Sequence, residues 1–158
     1  MNKALMTSLI SIGATQLLKV PIKFVGTGRW DWKTAVQTGG MPSSHSAGVS
    51  SLATYVALKK GISSVPFALA SLFGLIVMYD AMGIRRRAGE IAMEVNRLET
   101  QVEKLTEQHP QIYHRKMQKE LEERLGHMPR EVLGGALFGV AIGTLSYLTD
   151  RNRRKRWF

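Results

Sequence analysis

Four uncharged stretches constrain this chain more than anything else in it: Ala4–Leu18 (15 residues), Thr34–Leu58 (25), Gly61–Tyr79 (19) and Val132–Thr149 (18). A helix rises about 1.5 Å per residue and the hydrocarbon core of a bilayer is about 30 Å thick, so roughly 20 apolar residues cross it. The third and fourth stretches meet that length. The first meets it once Val20, Pro21 and Ile22 are added beyond Lys19, whose long side chain can extend to the interface. Met1-Asn2-Lys3 ahead of an apolar run also fits a signal peptide, but no convincing small-x-small cleavage site follows. In the second stretch, Thr38-Gly39-Gly40-Met41-Pro42-Ser43-Ser44-His45-Ser46 reads as a loop. A short helix capped by Ser43, Ser44 or Ser46 then runs to Lys59-Lys60-Gly61. The expectation is an all-α fold: a polytopic membrane bundle of about four spans, near residues 4–22, 46–58, 62–82 and 130–149.

Whole-chain averages hide this. The mean hydropathy of −0.08 is ordinary for a soluble protein. The charges, 22 Lys and Arg against 12 Asp and Glu for a net +10, are gathered between the apolar runs. Such a balance calls for an anionic partner, whether nucleic acid, a headgroup surface or a phosphorylated substrate. The absence of cysteine excludes disulfides, thiol catalysis and cysteine-ligated metal.

Residues 85–125 differ in kind. Ile91, Val95, Leu98, Val102 and Leu105 follow a coiled-coil spacing, with Glu94, Glu99, Glu103, Lys104 and Glu107 on the other faces. His109-Pro110 breaks the pattern and Ile112–Leu125 resumes it, which predicts an extramembrane helical hairpin inserted before the last span, packed on itself or on a second copy. In that span Gly135, Gly139 and Gly143 clear one face for close helix approach, within the chain or between chains. Residues 151–158 form a basic juxtamembrane tail.

His109 and His114 fall in a polar turn and read as solvated surface. His45 and His127 stand instead at the mouths of predicted spans. Pro129 suits the first position of a helix, and Glu131 then reaches back toward His127 as in a capping box. That contact would orient the imidazole and leave its other nitrogen as a nucleophile. Gly40, with Gly39, lets the backbone approach a ligand, and Ser43 and Ser44 with helix-start N–H groups make a phosphate site at which His45 can act as general acid. Lys19, Lys23, Arg29, Arg85 and Arg86 supply cations for phosphate oxygens.

At these residues the chain resembles the type-2 phosphatidic acid phosphatase superfamily, whose motifs are K-x6-R-P, P-S-G-H and S-R-x5-H-x3-D. Pro42-Ser43-Ser44-His45 matches the second with serine for glycine. Arg85 or Arg86 supplies the arginine of the third, and His127 and Glu131 its H-x3-D with glutamate for aspartate, the charged hairpin lying between. The first motif fits least: five residues separate Lys23 from Arg29, and Trp30 follows in place of proline. The superfamily's divergent branch of small bacterial and plastid membrane proteins is closer, sharing a G-G-M-P-S-S-H-S loop, an R-R-x-A-G segment and a G-H-x-P-x-E-V segment, here Gly39–Ser46, Arg85–Gly89 and Gly126–Val132. The resemblance implies a phosphatase without metal or other cofactor. In it His127 attacks phosphorus, Glu131 orients it, His45 protonates the leaving alkoxide, and the substrate is a lipid or polyprenyl phosphate.

Four spans put both termini on one side with Lys59 and Lys60 and the histidine loops on the other. The terminal side holds 8 Lys and Arg and the loop side 14, but the latter serve phosphate or are balanced by acids, whereas the tail is a compact cluster. The reading is a cytoplasmic tail, an external site and residence in the cell's inner membrane. Two other classes compete with a lipid phosphatase. One is a non-catalytic membrane protein keeping the fold for lipid binding, assembly or transport. The other, a nucleic-acid binder, is disfavoured because the cations border the membrane spans and no recognition motif is present.

Overall fold

The computed structural model describes residues 2–36, 39–108, 121 and 126–155, with the side chains of 84–86 and 153–155 left aside. Its helices are α1 (Lys3–Thr27), α2 (Ser44–Lys60), α3 (Val65–Met82), α4 (Ile84–Gln108) and α5 (Pro129–Lys155), and a short 3-10 turn, Trp32–Ala35, follows α1. Side-chain caps start three of them. The Asn2 carboxamide accepts from the N–H of Ala4 and Leu5, the Ser43 hydroxyl from Ser46, and the Ser64 hydroxyl from Phe67. Among the described residues the chain is all-helical, as the sequence predicts, and three helical stretches are long and apolar enough to cross a membrane: Lys3–Thr27, the apolar part of Val65–Gln108 and Pro129–Asn152.

Burial is the inverse of a water-soluble protein. Leu17, Leu69, Phe73, Leu75, Leu133 and Leu137 point outward, while Thr7, Ser11, Thr15, Ser46, Ala47 and Ser51 are buried. Bilayer tails solvate the outer face, and small side chains inside let backbones come close. α2 shows why this matters. Its 17 residues, about 25 Å of helix, are rich in serine and alone make a poor span. It packs against α5, α1 and α3, which shield it from lipid.

The α5–α2 contact answers the question left open for the glycines. A Cβ on Gly135, Gly139 or Gly143 would stand 2.2 Å from Ser43 O, 2.3 Å from Ala47 O and 2.7 Å from Ser51 O, respectively. Both helices thus present one small residue per four at the seam. The face packs within the chain, against α2. α1 binds the same part of α2: Ser8 and Ser11 donate to the carbonyls of Gly48 and Ala47 at 2.9 and 3.1 Å.

The start of α1 lies beside the later turns of α5. Lys3 pairs with Asp150, which also accepts from the Tyr55 hydroxyl at 2.9 Å, and Thr7 and Ser146 hydroxyls meet at 2.6 Å. Helix boundaries extend beyond the expected ones. α1 runs through Pro21 to Thr27 and α5 continues to Lys155, so the basic tail begins as helix. α4 directly follows Gly83, with Ile91, Leu98 and Leu105 of its apolar seam exposed. Residues 109–120 and 122–125, hence His109, His114 and most of the returning arm of the expected hairpin, lie outside the described residues. At Leu121 the chain is back beside α4, its backbone N–H and C=O both bonded by the Asn96 side chain at 3.0 Å.

Candidate functional site

At the end of the bundle away from the termini, the N-termini of α2 and α5 meet. The Ser43 N–H donates to the Glu131 carbonyl at 2.9 Å, joining the two first turns. The Ser43 hydroxyl accepts from the Ser46 N–H and hydroxyl at 3.4 and 3.0 Å, and Ser43, Ser44 and Ser46 are all buried. Two positive helix ends converge there, an arrangement that favours an anion. Gly39 and Gly40, at φ 87° and 82°, bring the loop to it through a backbone region that a side chain disfavours.

His127 is held just before α5, its N–H donating to the Ala81 carbonyl at the end of α3 at 2.9 Å. It is 4% exposed, whereas His45, in the first turn of α2, is open to the surroundings. The two rings stand edge to face, their centroids 5.9 Å apart. Residues 82 apart in sequence are thereby placed as neighbours. Glu131 reaches back in the manner of a capping box, but to backbone: its Oε2 accepts from the Met128 N–H at 3.1 Å, where the sequence reading aims the carboxylate at the His127 imidazole.

The cations divide. Lys19 is 2% exposed within α1, and its Nζ donates to the Gly39 carbonyl at 2.8 Å, which ties it to the glycine loop. It also lies within electrostatic reach of Glu131. Lys23, one turn on, donates instead to Asp31 Oδ2 at 2.7 Å and Thr34 Oγ1 at 3.1 Å. Arg29 lines a shallow pocket with Lys23, Thr27, Trp30 and Asp31. Trp30 there stacks on Phe24 and Trp32 at 4.6 and 6.0 Å. Among the described residues, therefore, Lys19 is the lysine joined to the histidine loop, while Lys23 and Arg29 belong to a separate pocket that Trp30 also lines. The Lys23 ammonium holds the Asp31 carboxyl below its usual range, against partial desolvation and with help from the Lys33 N–H and Thr34. Arg85 and Arg86 fall in the first turn of α4, a few residues beyond Ala81, but their side chains lie outside the described residues.

Sequence reasoning missed two participants. The Ala81 carbonyl carries no residue-type signal, since it acts through its backbone. Asp31 lies between Trp30 and Trp32 and could have been paired with Lys23 by distance along the chain. Among the described residues no three His, Asp or Glu side chains gather as a metal-binding group.

The chain is similar over 144 residues, at 42% identity, to the "Uncharacterized membrane protein YuiD" of Bacillus subtilis (strain 168), the match covering 89% of this chain and 91% of that protein. No solved structure matches it. The model of the family described as "Divergent PAP2 family" matches residues 1–142, from the start of α1 through both histidines into α5. This protein, with its paired histidines where α2 and α5 begin, belongs to the divergent PAP2 family.

Proposed function

We propose that this membrane protein hydrolyses the phosphate of a lipid or polyprenyl phosphate through a phosphohistidine. The observation that carries the reading is the edge-to-face pairing of His45 and His127, 5.9 Å between centroids, where two helix N-termini meet. A ring nitrogen of His127 attacks phosphorus in line. The P–O ester bond breaks, its electron pair leaves with the alkoxide, and His45 supplies the proton. Water then attacks the phosphohistidine, His45 takes a proton from it, and the P–N bond breaks to release phosphate and regenerate His127. Negative charge on the equatorial oxygens is met by Lys19, by Arg85 or Arg86, and by backbone N–H groups of the two helix starts, with Ser43 and Ser44 shaping the loop. Glu131 fixes the start of α5 and with it the position of His127. The exposed apolar surface keeps the substrate's tail in the bilayer while its headgroup enters the site.

The site would face away from the cytoplasm of the inner membrane and the termini toward it. The chain lacks cysteine, so Val36→Cys, at an 83% exposed position beyond the 3-10 turn, gives a single label. Modification by an impermeant maleimide in intact cells is expected, and protection would reverse the orientation. For the activity, a panel of phosphorylated lipids in nanodiscs should release phosphate with wild type and not with His127→Ala or His45→Ala. Phospholipid binding without release, unaffected by either change, would instead favour a non-catalytic member of the fold.

A further inference from the structure

The opposite end of the bundle carries a second cationic pocket that this chemistry leaves unused. It lies among three helices and is lined by Asn2 and Lys3 at the start of α1, Tyr55, Lys59 and Lys60 at the end of α2, and Pro66 at the start of α3. Its charges are unbalanced. Asp150, the carboxylate beneath it, is buried and already accepts from Lys3 and from the Tyr55 hydroxyl. Lys59 sits over the Tyr55 ring, 5.2 Å from its centroid, and donates to its hydroxyl at 3.4 Å. Lys60 is exposed, with no acceptor among the described residues. The pocket also has an apolar flank: Ile62 and Val65, 74% and 72% exposed, continue along α3 to Leu69. Cations at a span's end beside lipid-facing apolar side chains fit a molecule with an anionic head and hydrocarbon tails better than a soluble anion.

We infer that this pocket binds the phosphate of an anionic glycerophospholipid in the leaflet on the side of the termini. Lys59 and Lys60 meet its phosphate, and its acyl chains run down Ile62, Val65 and Leu69. The lipid would bridge α1, α2 and α3 on the membrane face opposite the histidines.

The test titrates the purified full chain in non-ionic detergent with phosphatidylglycerol and with phosphatidylcholine of the same acyl chains, counting bound lipid by native mass spectrometry. Phosphatidylglycerol should bind in preference, and Lys59→Gln/Lys60→Gln should weaken it roughly ten- to thirty-fold. Lys59→Arg/Lys60→Arg should retain it, which separates charge from folding. Neutralising the tail, Arg153→Gln/Arg154→Gln, should leave this preference in place. The inference is overturned by equal affinity for the two lipids, by binding unchanged in the double glutamine variant, by loss in the tail variant, or by glycerol 3-phosphate competing at the lipid's own concentration.

Discussion

Adding a single methyl group at Gly139 tests the seam on which the whole bundle rests. A Cβ there would stand 2.3 Å from Ala47 O and 2.9 Å from Ala47 C and Cα, about 1.1 Å short at the oxygen of the 3.4 Å where ordinary contact begins. The atoms in the way are α2 backbone, which cannot rotate aside, so α5 must lift from α2. Overpacking of this kind costs about 1–3 kcal/mol. Better helix propensity returns up to about 1 kcal/mol. Gly139→Ala should therefore lose about 1–2 kcal/mol, which for a chain of this size lowers Tm by roughly 2–8 °C. Gly134→Ala, one position off the seam in the register, is the internal control. Its Cβ would first meet Met41 Cε at 3.2 Å, the end of a flexible side chain, so Tm should hold or rise slightly. Fluorescence-detected size-exclusion after heating, in detergent, measures both. A Gly139→Ala variant as stable as Gly134→Ala would refute the packing of α5 on α2.

Two further outcomes follow from the division of the cations. Lys19→Met should cut phosphate release about 100-fold or more, as loss of a charge-stabilising donor does, whereas Lys23→Met should cost less than about tenfold; the reverse order would return the phosphate role to Lys23. Asp31, whose carboxyl is held below its usual range by Lys23, contributes its contact fully above the ordinary carboxylate pKa and loses it as pH falls through the depressed value. In a Trp157→Phe background, Trp30 and Trp32 emission should stay constant down to about pH 4 and change only below it, while Asp31→Asn should remove that step; a step near neutral pH in the parent would contradict the pairing.

Much of this molecule is legible in its sequence because the signals are local. The uncharged runs set the spans, Ser43 and Pro129 mark the two helix starts at the site, and Glu131 reaches back as its spacing demands. The glycine repeat predicts a close approach, though only the structure supplies the partner, Ser43, Ala47 and Ser51 of α2. Other features escaped because a long-range contact decides them. Lys19 reads as a residue within the first span whose side chain extends to the interface, yet it is 2% exposed and donates to the Gly39 carbonyl. The serines of α2 make it look like a weak, short span, while enclosure by α1, α3 and α5 places it at the centre. Lys23 cannot be told from Lys19 by spacing to Arg29, since its partner, Asp31, lies across a turn.

The central claim is that His127 carries the phosphoryl group. It is tested by incubating the protein in nanodiscs with lipid phosphate labelled at phosphorus, quenching at alkaline pH where phosphohistidine survives, and mapping the label. The account predicts a label on His127 that is absent in His127→Ala. Phosphate release by His127→Ala at the wild-type rate, or a label on another residue, would contradict it.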